Sequence, residues 1–420
     1  MAGELLKPDE FVTIDATDDA WGPLKDFLLY IDRDFSGNRK DKNSYKVFEK
    51  GPHSNPVALT RFHLKETLVR PDQEFFKKYL VGEKTDGIRY LLVRMKDDFV
   101  YLVGRFFEKE PNEIHRLTND RGLGKHFKDT LPHESIYDCE LVRDLDYTDT
   151  PLLQIFDILL ARDEKNIPTN YGRRPAHARV QRMKDLSRTA LQTQCDRVTF
   201  KYWQDVHSVI ECLPCCGDSE FIDWRGNRYN VDGLVFMPQH RYMAEKDQTL
   251  FKWKPAEKVT VDFQVTKKDG SWHYLLGQSK DAVEVQSVSG GGRLRNLECV
   301  LPTDLPEEVQ DGDVGEFKVA YNKIQDNDSF TFEFVQVRDD KKGGNGVSNF
   351  IDTLVVVKEN ITLEEVMCTL VDERFKVKHS ETLEYKHERA RAKYALKMHG
   401  LDGIDESAPP VSLDSVFDDY

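Results

Sequence analysis

The sequence predicts an α+β protein: an antiparallel-sheet domain, then a small β-barrel of the OB-fold kind, then a helical tail. Three observations lead there. Runs rich in Val, Ile, Tyr, Phe and Leu follow one another from Tyr79 to Lys254 without regular helical crossovers. Past Pro255 the runs shorten and are parted by Gly, Asp and Asn turns, the pattern of a small barrel. Beyond the stretch Lys342-Gly343-Gly344-Asn345-Gly346 the pattern becomes helical. A length of 420 residues fits two or three domains, and a hydrophobic share of 39% is enough for sizeable cores.

Residues 1–75 are mixed and polar, with a helix-like stretch from Trp21 to Ile31. Strands are predicted at Ile88–Met95, Phe99–Phe106, Ser135–Val142 and Leu152–Leu160. Pro175 opens a predicted helix over Ala176–Leu191, because proline suits the first helical turn. Asn230–Met237 and Thr249–Lys254 complete the first domain. The barrel strands are Val259–Val265, Trp272–Gly277, Ala282–Val288, Val314–Tyr321 and Phe330–Val337. Ser289-Gly290-Gly291-Gly292 is a loop. Thr362-Leu363-Glu364-Glu365 is a capping box that opens a helix. Phe375–Met398, rich in Lys and Arg, is expected to form an exposed basic helix, and the end of the chain to be an acidic disordered tail. The expected domains are 1–257, 258–341 for the barrel, 342–400 for helices that partly pack back on the first domain, and 401–420 for the tail.

Composition removes several function classes. No stretch approaches the ~20 apolar residues a membrane-spanning helix needs; the best run, Leu152–Ala161, is broken by Gln154 and Asp157. The N-terminus lacks the basic-then-apolar pattern of a signal peptide. Lys and Arg total 60 against 74 Asp and Glu, a net charge of −14. Six of those negative charges fall in the last residues, from Asp402 to Asp419, so the balance does not exclude a local basic cleft. Seven cysteines, an odd number, argue against a disulfide framework. Cys212, Cys215 and Cys216, with His207 upstream, lack the second close pair of a structural zinc site and read as ordinary thiols.

Six short elements carry the chemistry. Lys84-Thr85-Asp86-Gly87-Ile88-Arg89 lies between two strand-like runs. A lysine becomes a nucleophile when desolvation or neighbouring cations lower its pKa. Gly87 permits a tight backbone turn and Arg89 suits a sugar or phosphate. Then come Tyr137-Asp138-Cys139-Glu140, Phe156-Asp157, Val231-Asp232-Gly233-Leu234-Val235-Phe236, Phe251-Lys252-Trp253-Lys254-Pro255 and Arg338-Asp339-Asp340-Lys341. Lys252 and Lys254 share one face of a strand by the two-residue period. Three cations near one phosphate would offset its charge and disfavour protonation of Lys84. Two carboxylates can hold Mg²⁺ or Mn²⁺, which favour oxygen ligands.

In this order and on these strands, the six elements resemble the covalent nucleotidyltransferase superfamily, and within it the mRNA capping guanylyltransferases. They run from Lys84 to Lys341. The resemblance implies a nucleotidyltransferase domain followed by an OB-fold domain. It implies that Lys84 attacks the α-phosphate of GTP to form a lysyl–GMP intermediate, which passes GMP to the 5′-diphosphate end of RNA. Arg89 and Glu140 would hold the ribose, and Arg105 a phosphate. Phe156 and Val235 would sandwich the guanine, with Lys201 reading its O6. Glu140 and Asp232 would place the metal, and Lys252 and Lys254 would contact the α-phosphate. Arg338, Asp340 and Lys341 would reach the β- and γ-phosphates on domain closure. The sequence departs from the family at Cys139, where glycine is usual, and at Phe332 and Gln336, where Trp and Arg are usual.

The alternative is an ATP-dependent RNA or DNA ligase, which shares the lysine, the glutamate and the Lys-x-Lys pair. Trp253, Pro255 and Asn345 fit capping enzymes better. No His-Cys-x-x-x-x-x-Arg phosphatase loop occurs. The resemblance therefore implies a separate RNA triphosphatase and a separate cap methyltransferase, with the RNA polymerase II C-terminal domain as a further partner. The expected location is the nucleus, or the cytoplasm for a viral chain.

Overall fold

The computed structural model describes residues 9–14, 17–36, 53–64, 68, 79–104, 114–118, 120, 122–145, 151–162, 167–191, 197–206, 220–222, 228–243, 245–277, 282–289, 297–324, 327–339 and 341–376. The strands, in chain order, are β1 (Phe11–Thr13), β2 (Ser54–Ala58), β3 (Leu80–Thr85), β4 (Ile88–Arg94), β5 (Val100–Gly104), β6 (Ile114–Leu117), β7 (Ser135–Arg143), β8 (Pro151–Arg162), β9 (Pro168–Asn170), β10 (Val198–Phe200), β11 (Gln204–Asp205), β12 (Glu220–Ile222), β13 (Arg228–Met237), β14 (Glu245–Trp253), β15 (Thr260–Lys268), β16 (Ser271–Leu276), β17 (Val283–Glu284), β18 (Leu297–Val300), β19 (Val314–Ile324) and β20 (Asn327–Val337). The longer helices are α1 (Trp21–Ser36), α2 (Gly122–Thr130), α3 (Ala176–Leu191), α4 (Val347–Glu359) and α5 (Leu363–Lys376).

The strands form three sheets. One runs β1-β6-β5-β4-β7-β8-β10 with β9 on β8; the second runs β11-β3-β13-β14-β2 with β12 on β13; the third runs β17-β16-β15-β19-β20-β18. Pairing is antiparallel except for β8–β10, β2–β14 and β18–β20, which are parallel. Each parallel partner returns after an intervening segment, a connection that local hydrophobic period does not reveal.

The central strands of the first sheet are covered on both faces. Leu92, Leu102 and Tyr137 pack with Phe127 of α2 and with Val180 and Met183 of α3. On the other face Leu91, Val93, Tyr101 and Ile136 pack against Leu24 and Leu28 of α1. Double burial explains why these strands read as near-continuous apolar runs. The third sheet closes over an aromatic core of Phe263, Tyr274, Phe317 and Phe332, with Phe350 of α4 on it. Phe332 is thus packed into this core, at 6% exposure, where the capping family has tryptophan.

Helix α3 occupies the predicted residues, Ala176–Leu191. The predicted strand Ala282–Val288 does not form: two residues pair as β17, and Val285–Ser289 turn into a short helix whose Val285 joins the core. The two-residue β17 is one edge of the sheet, beside β16, and β18 is the opposite edge, beside β20. The capping box at Thr362 is half made. The Glu365 backbone N–H donates to Thr362 Oγ1 at 3.1 Å, while the Glu365 carboxylate accepts Arg61 Nε at 2.7 Å. That ion pair, the Trp253 Nε1–H bond to Ile361 O at 2.9 Å, and Val366, Met367 and Leu370 beside Phe251 bind α5 to the second sheet. The basic stretch beyond Lys376, the acidic tail, the Gly-rich loop from Gly290 and the 212–216 cysteine cluster lie outside the described residues.

Candidate active site

Lys84 occupies the next-to-last position of β3, opposite Gly233 on β13. The register of this pair shifts between Val231 and Gly233, so Asp232 is the extra residue of a bulge. Bulges re-aim side chains, and here the Asp232 carboxylate meets Lys84. Its Oδ1 lies 2.7 Å from Lys84 Nζ, and its Oδ2 accepts the Lys254 ammonium. Gly233 is obligatory at this bulge: its φ is +154°, and a Cβ would lie 1.9 Å from the Trp253 carbonyl oxygen. Gly87 lies in the two-residue connection from β3 to β4 and has a second reason beside the turn expected of it. A Cβ there would stand 2.5 Å from Leu141 O and 2.7 Å from Val142 Cγ1, so glycine permits close approach to β7.

A cavity of about 160 Å³ opens beside Lys84, lined by Arg89, Glu140, Phe156, Lys201 and Val235 among others. Lys252 is directly opposite Val235 across β13–β14 and so stands on the same face. The structure therefore gathers Lys84, Arg89, Glu140, Phe156, Lys201, Asp232, Val235, Lys252 and Lys254. Arg338 and Lys341 do not line this cavity. Both pair with Asp262 of β15, Arg338 Nη1 at 3.4 Å from Oδ1 and Lys341 on Oδ2. Gln336, where the family has arginine, donates to Glu316 Oε2 at 2.7 Å. Arg105 and Asp340 lie outside the described residues.

The protein's own groups favour the charged lysine. Burial opposes the Lys84 charge, but Asp232, Glu140 and Asp86 outweigh it, and the pKa is raised rather than lowered. The carboxylates, not the neighbouring cations, dominate the field at Nζ. Burial opposes ionisation of Asp232 too, yet Lys84 and Lys254 hold its pKa below the ordinary carboxylate value. Glu140 goes the other way: burial pushes it up, assisted by Asp232, against Lys84, Lys201 and Arg89.

Arg89 is fixed by groups that the sequence did not single out. Its guanidinium grips the fully buried Asp138 with both Nε, at 2.8 Å, and Nη2, while Nη1 donates to Ser54 O at 2.6 Å. Tyr242 donates to Asp138 Oδ2 at 2.5 Å and accepts the Ser54 N–H at 2.8 Å. Removing Asp138 would strand Arg89 without its carboxylate. Phe156 lies under two cations, 5.2 Å from the Arg89 guanidinium and 5.4 Å from Lys201 Nζ. Its carbonyl accepts Trp203 Nε1–H at 2.8 Å. The adjacent Asp157 pairs with Arg179 of α3 and so anchors the helix. Cys139 is fully buried, with its Sγ 3.2 Å from Tyr90 O and burial raising its thiol pKa. It is absent from the left-handed backbone positions, which explains why a side chain is tolerated where glycine is usual.

Glu140 and Asp232 face the lysine together, while among the described residues no group of three or more His, Cys, Asp or Glu gathers. Two carboxylates, with the remaining positions left to phosphate oxygens and water, suit a hard divalent cation such as Mg²⁺.

Comparison with known proteins agrees. A family model described as the catalytic domain of mRNA capping enzyme matches residues 40–256. The chain is 22% identical to the mRNA-capping enzyme subunit alpha of Kluyveromyces lactis, over 90% of this chain and 91% of that one. It is 24% identical to the protein of the same name from Schizosaccharomyces pombe, over 75% of this chain and 79% of that one. Among solved structures, a mycobacterial DNA ligase D complexed with ATP and MES aligns over 70% of this chain and 97% of its own, with a TM-score of 0.36 and 14% identity. With its nucleophile candidate, carboxylates and lysine pair on the matched segment, the chain belongs to the mRNA capping enzyme catalytic-domain family.

Proposed function

We propose that this chain is an mRNA guanylyltransferase acting through Lys84. The observation that carries the proposal is the Lys84–Asp232–Lys254 ion-pair chain beside a cavity with a half-buried aromatic wall. Lys84 Nζ attacks the α-phosphorus of GTP; an N–P bond forms, the bond to pyrophosphate breaks, and the lysine loses its proton. The terminal oxygen of a 5′-diphosphate RNA then attacks the same phosphorus. That step releases Lys84 and leaves a GpppN end. Phosphoryl transfer needs chiefly positioning and charge stabilisation, which Lys252 and Lys254 supply at the α-phosphate. Arg89 and Glu140 hold the ribose, Phe156 and Val235 enclose the base, and Lys201 reads its O6. Glu140 and Asp232 would hold Mg²⁺ or Mn²⁺, which supplies positive charge against the phosphates.

The test is incubation with α-³²P GTP beside α-³²P ATP. GTP should yield an acid-labile, alkali-stable adduct. Labelling by ATP alone would favour ligase chemistry, and no adduct with either would sink the reading.

The same reading divides the chain at about residue 257, makes the third sheet an OB-fold domain, and gives Arg338, Asp340 and Lys341 the leaving pyrophosphate. Arg105 contacts a phosphate on this reading. The name "subunit alpha" among the relatives supports a companion subunit here, which we take to be the RNA triphosphatase. A separate methyltransferase, the RNA polymerase II C-terminal domain and a nuclear location complete it. Lys341→Ala should cut adduct formation from GTP by about 10²-fold, the usual cost of one preorganised charge. A preformed adduct should still pass GMP to RNA, because pyrophosphate has left by then. Equal loss in both half-reactions would give this segment a structural role.

A further inference from the structure

Behind the cavity wall lies a buried polar relay that ends on Lys201. Glu83, Thr85, Gln154 and Tyr229 are each 3% exposed or less, and Lys201 is 7% exposed. Gln154 Nε2 donates to Glu83 Oε1 at 2.8 Å and to Tyr229 OH at 3.0 Å. Tyr229 OH itself donates to Glu83 Oε1 at 3.4 Å. On its other side, Gln154 Oε1 accepts the Thr85 hydroxyl. Thr85 Oγ1 accepts Lys201 Nζ at 3.1 Å, and a second Lys201 proton goes to Glu83 O at 2.6 Å.

Within the relay, the Lys201 ammonium can only donate, and the direction of the bonds from Glu83 through Gln154 to Thr85 follows from the carboxylate end. A carboxylate oxygen accepts, so the Gln154 amide must turn its NH₂ toward Glu83; the flipped amide would set oxygen against oxygen. Gln154 Oε1 must then face Thr85, and the threonine proton is committed to it. Burial pushes the Glu83 pKa up. Protonation would not reverse the relay, since Oε1 already takes two donors and the proton would sit on Oε2. Thr85 and Lys201 both line the cavity. The cavity therefore meets a Lys201 ammonium with one proton left to give, and beside it a Thr85 oxygen with none.

We infer that Glu83, acting through Gln154, is a positioning residue that sets this donor–acceptor polarity and thereby selects the purine edge. An edge with a carbonyl oxygen next to an N–H matches it; an edge with an amino group next to a bare ring nitrogen puts donor against donor. The inference rests on the functional reading above, in which Lys201 and Phe156 surround the base. It assigns discrimination between guanine and adenine to two residues that need not touch the nucleotide.

Glu83→Gln keeps the shape but gives the relay an amide that can donate or accept, so its polarity is no longer forced. Gln154→Met removes the link by a second route. The experiment measures kcat/KM for adduct formation with GTP and with ATP in the wild type and both variants, with thermal melts to establish folding. The GTP-to-ATP ratio should fall at least tenfold in each folded variant, with most of the change in KM. A residue that merely supports the fold would lower both nucleotides together and leave the ratio unmoved. A ratio within twofold of wild type in either folded variant overturns the inference, while wild-type adduct with GTP still upholds the functional reading. Wild type that forms no adduct overturns both. If one variant does not fold, the other decides.

Discussion

Lys84→Ala should form no nucleotide adduct, and Lys84→Arg should form none either. The first removes the attacking nitrogen. The second keeps a cation beside Asp232, at 2.7 Å in the native chain, but arginine cannot be deprotonated in a protein. The pair of variants separates two explanations that Lys84→Ala alone confuses. If Lys84 only neutralised charge, the arginine would restore part of the labelling. A gel of both variants after incubation with α-³²P GTP reads the result. Adduct at the wild-type level in Lys84→Ala would move the nucleophile elsewhere.

Asp232→Asn should lower the rate of adduct formation by about 10²–10³-fold and also change its pH dependence. The sign follows from the ion pair. Burial lowers the Lys84 pKa, but Asp232 is the foremost of the influences that raise it above the ordinary lysine value. Attack needs the free amine, so the wild-type rate should climb with pH toward that raised pKa. An amide at 232 removes the negative charge, so the climb should be complete at lower pH in the variant. Single-turnover rates across the alkaline range check both parts. A pH profile that keeps its wild-type midpoint would show that Asp232 does not govern the protonation of Lys84.

Much of the fold was legible because burial on both faces leaves apolar runs, as at Tyr90–Val93 and Val100–Val103, and because α3 has a proline at its entry and a clear stripe. What was not legible is mostly non-local. The parallel returns of β2 onto β14 and of β10 onto β8 join segments far apart in sequence. The strand predicted at Ala282 failed because its apolar residues serve a short helix instead. At the site, the residues brought around the cavity were found from their type and order. Their supports were not, because Asp138 and Tyr242 are 104 positions apart and Glu83 and Gln154 are 71 apart. A buried glutamine within an apolar run was the one available signal: Gln154 interrupts Leu152–Ala161 and was counted only against a membrane span. The carboxylate that raises the Lys84 pKa was not legible for a related reason. The cations around it were read without the carboxylate that a one-residue bulge turns toward them.

The interleaving of charge around the cavity bears on how the nucleotide and RNA arrive. Lys84 and Lys254 share Asp232, Arg89 is gripped by Asp138, and the Glu83 charge sits close to Lys201. Lys84, Lys254 and Arg89 thus each contact a carboxylate directly, which weakens the field these three cations project into solvent. The chain as a whole carries −14. Long-range attraction of an anion depends on an unbalanced lobe of potential, and the pairing of these three cations reduces what they contribute to it. An anionic phosphate that reaches Lys84, Lys254 or Arg89 is therefore recognised at contact, by exchange of one partner for another.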